Sequence, residues 1–137
     1  MPYRISKPGQ AAWLTRHLRD LPHEELHVIY LDPQGRVIDT VRVSETGDEA
    51  CALSCIPRIF TSAVQLHSTR MILVHNHVGV DSQPSQTDID MTLALRNGAR
   101  FFGMRIIDHI ILAKGYRHWS FQEALDQQDA AAQTQAV

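Results

Sequence analysis

Cysteine is scarce. Cys51 and Cys55 are the two in 137 residues, too few for a disulfide framework, and this points to a reducing, cytoplasmic location. A C-x-x-x-C pair can bind metal, but zinc knuckles come as two tighter pairs, and small buried thiols are the commoner use. An excess of positive charge is also missing. The formal net charge of −2 and the pI near 6.4 leave no basic footprint. Direct nucleic-acid binding is therefore not supported by charge, although a local basic patch could sit inside that average. No run approaches the ~18 apolar residues of a membrane span, and the opening MPYRISKPGQ lacks the apolar stretch of a secretory signal. Neither a membrane nor a secreted protein is expected. What is present is ordinary globular composition, 44% hydrophobic and 20% charged. That is enough at this length to bury a core as one domain without staples.

The hydrophobic pattern alternates between helix and strand periods. Residues 9–21 predict a helix with Ala12, Trp13, Leu14, Leu18 and Leu21 as its apolar stripe, stopped by Pro22. Leu26 to Leu31 reads as a buried strand, and Asp32-Pro33-Gln34-Gly35 has type I turn chemistry. Arg36 to Val43 then pairs back as a hairpin. A loop around Gly47 leads to a helix over 57–68, and Met71 to Val74 is a short apolar strand delivering His75. Ser85 opens a helix to about Ala99. Arg105 to Ala113 is a further strand, which turns at Lys114-Gly115 into Tyr116–Phe121. Residues 9–125 thus predict a single α/β domain, a mixed β-sheet flanked by helices. Residues 126–137, poor in large apolar side chains, predict a mobile tail.

The segment His75–Asp88, HNHVGVDSQPSQTD, carries the chemistry. Histidines at i and i+2 on an extended chain point to the same side. Asp88 falls in the first turn of the following helix, where it can face back to the strand end. Two imidazoles and a carboxylate, with a position left for water, describe a catalytic zinc site. Each half has a plainer reading. Ser85-Gln86-Thr87-Asp88 is a capping box, and a lone H-x-H is more often a hydrogen-bonded pair at a strand end. The two patterns together, at this spacing, are far more specific. The letters His-Asn-His do not make an HNH nuclease, whose name refers to residues scattered over a longer motif. Neither the zinc-deaminase signature nor H-E-x-x-H is present.

H-x-H-x7-S-x2-D resembles the JAMM (JAB/MPN) metalloprotease motif, matched without a gap by His75, His77, Ser85 and Asp88. The surroundings are similar to the RadC branch: Asp81, Pro84, Asp108-His109-Ile110-Ile111, Pro57-Arg58-Ile59-Phe60, Tyr116, Ser120-Phe121 and Glu24 in EELHVIYLD. The resemblance covers roughly Leu18 to Leu125 and implies a cytidine-deaminase-like layered fold. It also implies one zinc ion (Zn2+) on His75, His77 and Asp88, with Glu24 rather than Glu25 as the general base and Ser85 as an oxyanion donor. The implied activity is hydrolysis of a peptide or isopeptide bond in a peptide or protein substrate. A non-catalytic MPN scaffold and a DNA-repair-associated protein without peptidase activity are the alternatives. Asn76 is expected to point away from its neighbours as a structural residue. Asp81 is expected to tie down the loop. Asp108 and His109 are candidates for supporting a ligand from behind. The sequence departs from the branch at Val78-Gly79-Val80, where Pro-Ser-Gly is usual, and at Ser82, where proline is usual, so the loop beside the ligands takes its own path. A short stand-alone form, without the helical N-terminal region of longer RadC proteins, is what the resemblance leads one to expect.

Overall fold

The computed structural model describes residues 3–45 and 55–135, with side chains up to 128. The loop expected at Gly47 and the first cysteine, Cys51, lie outside the described residues. Helix α1 spans Pro8–Leu14 and is followed by a 3-10 segment at Arg16–Asp20. Strands β1 (Leu26–Leu31) and β2 (Val37–Arg42) precede α2 (Ile56–Gln65) and β3 (Arg70–Asn76). Then come α3 (Gln86–Ala99), β4 (Arg105–Leu112), β5 (His118–Ser120) and α4 (Phe121–Gln135).

The five strands form one mixed sheet in the order β2-β1-β3-β4-β5. β1 pairs antiparallel with β2 and β3, β3 runs parallel to β4, and β4 runs antiparallel to β5. The hairpin expected between β1 and β2 closes on Asp32, whose carbonyl accepts from Gly35 N at 3.0 Å. Gly35 adopts φ +82°, which L side chains resist. The parallel β3–β4 crossover is made by α3, which lies on one face of the sheet.

Each strand sends alternate residues to opposite faces. Leu26, Val28, Tyr30, Met71 and Leu73 pack with Ile59 and Ala63 of α2 and with Met91, Leu95 and Ala99 of α3. Ile29, Leu31, Ile72, Val74, Ile110 and Leu112 pack with Ala11, Ala12 and Leu18 on the other face. Fully burying a Leu or Ile side chain contributes roughly 1.5–3 kcal/mol, so both faces anchor the central strand β3. Cys55 is buried in the first of these clusters, as expected of a small apolar side chain.

Three elements differ from the sequence reading. The first helix ends at Leu14 rather than running to Leu21. The Thr15 hydroxyl bonds Ala11 O at 2.8 Å while its backbone leaves helical geometry at φ −107°, ψ 18°, a side-chain competition that weakens helices. Strand β3 continues through His75 and Asn76, because its polar end is as buried as its apolar middle. Helix α4 carries the chain to Gln135, through most of the segment expected as a tail. Its Ala and Gln residues favour helix without giving an apolar period.

Candidate metal centre

β3 and the N-terminus of α3 converge at one end of the sheet. His75 and His77 leave β3 on the α3 side, and Asp88 sits in the first turn of α3. Ser85 is the N-cap. Its hydroxyl accepts from Asp88 N at 3.1 Å, while Asp88 Oδ2 accepts from Ser85 N at 2.9 Å. The capping box is therefore real, and it also aims the carboxylate: the cap and the site are the same arrangement. Asp88 Oδ1 lies 3.4 Å from His75 Nε2, and Oδ2 lies 3.1 Å from His77 Nε2. All three residues offer donor atoms within 4.8 Å of one another. A tetrahedral zinc ion with ligand arms of about 2.0–2.1 Å separates its ligand atoms by roughly 3.3 Å, so the spacing suits one cation.

Hydrogen bonds at their far ring nitrogens orient both histidines. The Thr92 hydroxyl donates to Asp88 O at 2.7 Å, so toward His109 Nδ1, 2.5 Å away, it can only accept. His109 then carries its proton on Nδ1, and its Nε2 must accept from His75 Nδ1 at 2.6 Å. In neutral His75 this puts the lone pair on Nε2, a buried atom with no hydrogen-bond partner among the described residues. A buried nitrogen 3.4 Å from a carboxylate oxygen fits a cation ligand. Burial, reinforced by the neighbouring His75, holds the His109 pKa well below the usual histidine value, so the His109 ring stays uncharged. His77 Nδ1 faces Asp81 O at 3.2 Å, which again directs Nε2 to the site. His77 Nε2 lies within hydrogen-bond reach of Asp88 Oδ2, at 3.1 Å. The hydrogen bond to Asp88 accordingly raises the His77 pKa, so a proton and a cation would compete for one position.

Glu24 is exposed and lines an open cleft of about 490 Å³ together with His77, Val78, Asp81, Ser85 and Asp88. Glu25 turns to the opposite side. Burial pushes its pKa up, but hydrogen bonds from His27 at 2.9 Å and His23 at 2.7 Å, with Arg42 at 3.3 Å, hold it below the usual carboxylate value. The structure thus brings His77, Ser85, Asp88 and Glu24 to one cleft, with His75 buried beside Asp88, and takes Glu25 away from it. The loop after His77 keeps the ligands together despite its altered sequence. Gly79, at φ +109°, accepts from Lys114 N at 2.8 Å, and Asp81 Oδ1 accepts from Gln83 N at 2.9 Å.

Of the two β4 candidates, His109 supports His75, whereas Asp108 faces away. It accepts from Ser120 Oγ at 2.6 Å and Gln122 N at 3.0 Å at the start of α4. Thr92 was not visible as a site residue in the sequence. Its signal is the i+4 spacing from Asp88 on one helix face.

Residues 5–127 match the model of the RadC-like JAB domain. A UPF0758 protein of Pelobacter propionicus is 39% identical over 121 residues, covering 88% of this chain and 52% of that protein. UPF0758 proteins of Geotalea uraniireducens and Syntrophomonas wolfei are 34% and 36% identical, over 82% and 71% of this chain and 49% and 41% of their own lengths. The chain thus spans about half the length of the curated relatives it matches. Among the described residues no helix is long and apolar enough to cross a membrane. The match spans most of the chain, and the chain belongs to the RadC-like JAB domain family.

Proposed function

We propose that this domain is a zinc-dependent hydrolase of peptide or isopeptide bonds. The observation that carries the reading is the buried His75 Nε2, without a hydrogen-bond partner among the described residues, beside Asp88 and His77, with an exposed carboxylate, Glu24, on the wall of the open cleft that His77 and Asp88 line. His75, His77 and Asp88 would hold the ion. A divalent cation bound there supplies Lewis acidity, which acidifies water and polarises a carbonyl. Glu24 accepts a proton from the attacking water and returns it to the departing amine, a general base that becomes a general acid. The Ser85 hydroxyl lies at the helix N-terminus, where it can donate to a developing oxyanion. The open cleft admits an extended chain rather than enclosing a small molecule.

The test uses zinc-loaded protein with two probes, a fluorogenic peptide library and a panel of Lys-linked isopeptides. Glu24→Gln keeps one zinc per chain and loses turnover. Normal turnover in that variant removes Glu24 as the base, and no cleavage of either probe by the zinc-loaded wild-type protein sinks the hydrolase reading.

A further inference from the structure

We infer that Asn76, the residue between the two histidines, is a positioning residue for Glu24. The β1–β3 ladder ends at the pair Leu26–His75. Continued by one residue, its antiparallel register would set Glu25 opposite Asn76. The pairing of Asn76 with Leu112 of β4 is made by its neighbour, His77 N donating to Leu112 O at 2.8 Å, so Asn76 itself faces the β1 side. There its side chain extends the ladder past its last pair. Asn76 Oδ1 accepts from Glu25 N at 2.8 Å, and Asn76 Nδ2 donates to His23 O at 2.8 Å. A carboxamide carries the same donor and acceptor pair as a peptide group. The two bonds fasten the peptide on either side of Glu24.

The fit is specific to this residue type. Asn76 is fully buried, so both polar atoms need partners. One partner is an N–H and the other a carbonyl, which fixes the amide orientation. Aspartate lacks the donor, and glutamine is one carbon too long for the same place. The Glu25 side chain is held separately by His23, His27 and Arg42 on the far side. With its backbone clamped and its neighbour anchored, Glu24 retains only the freedom of its own side chain. One strand end then does two things. Its odd residues supply imidazoles on the α3 side, and the even residue between them sets where the carboxylate across the cleft begins. That Glu24 has to be held for catalysis rests on the hydrolase reading; the clamp itself does not.

The experiment compares wild type, Asn76→Ala and Asn76→Asp by amide hydrogen exchange and backbone relaxation, without added metal. In Asn76→Ala the Glu25 amide exchanges about tenfold faster, the loss expected for one net hydrogen bond, and backbone order at Glu24 falls. In Asn76→Asp the carboxylate still accepts from Glu25 N, so that amide stays protected while order at Glu24 falls by less. This variant also decides the question if Asn76→Ala fails to fold. Unchanged order at Glu24 in the foldable variants overturns the proposal. On the peptide probes, Asn76→Ala lowers kcat toward that of Glu24→Gln with zinc content and KM unchanged, Asn76→Asp recovers part of it, and the double variant loses nothing further. Additive losses in the double variant overturn the link to Glu24. Absence of wild-type turnover would count against the hydrolase reading alone, because exchange and relaxation still decide the clamp.

Discussion

Thr92→Val is the sharpest test of how the ligands are prepared. Valine keeps the shape of this buried side chain and removes one hydroxyl, the group that donates to Asp88 O and receives His109 Nδ1–H. An N–H left facing a methyl group in the interior costs about 1–3 kcal/mol. His109 avoids that cost by moving its proton to Nε2. It then donates to His75 Nδ1, and His75 must carry its own proton on Nε2, where the lone pair for the cation stood. Losing such support behind a ligand typically weakens metal binding ~10–100-fold, or about 1.4–2.8 kcal/mol. Zinc affinity is measured by competition with a chromophoric chelator, and the tautomers are read from imidazole 15N shifts. Thr92→Ser keeps the hydroxyl and binds zinc like the wild type. Wild-type affinity in Thr92→Val with the His75 tautomer unchanged would refute the reasoning.

Other substitutions probe separate parts of the account. Glu25 has a pKa held below that of an unfolded glutamate, so its stabilisation is present above roughly pH 4.3 and is lost as pH falls through the lower folded value. Urea unfolding of Glu25→Gln should therefore show a shallower loss of stability on the acid side, together with a deficit of about 1.5–3 kcal/mol at neutral pH. Asp108→Ala removes the acceptor of Gln122 N and Ser120 Oγ. It should cost about 1–2 kcal/mol as a lost cap and speed amide exchange at Gln122, leaving zinc affinity unchanged. Ser85→Ala loses the bond from Asp88 N and should lower stability by ~1 kcal/mol. Its zinc stoichiometry should persist while kcat on the peptide probes drops.

Much of this architecture was legible because local chemistry and global packing agree. The Pro33–Gly35 turn, the apolar run of β1 and the Ser85 cap each signal one geometry, and the structure has all three. The convergence of His75, His77 and Asp88 was readable from spacing, since strand alternation and the first turn of a helix constrain where these side chains can point. Elsewhere the signal was weak for physical reasons. Thr15 breaks the first helix with a hydroxyl bond that leaves the apolar stripe intact. β3 runs two residues past its apolar stretch because burial there is satisfied by hydrogen bonds rather than by hydrophobicity. Helix α4 is built from residues with high propensity and little periodicity. The relay from Thr92 through His109 to His75 depends on the register between parallel strands 34 positions apart, which no local pattern encodes. The bonds of Asn76 reach back 51 and 53 positions and were equally hidden.

The most direct measurement is a crystal of zinc-soaked protein recorded at and below the zinc absorption edge. The account predicts one anomalous peak per chain, with His75 Nε2, His77 Nε2 and an Asp88 carboxylate oxygen as its ligands, absent when both histidines are replaced by alanine. A peak held by other residues, or one that persists in the double variant, would contradict it.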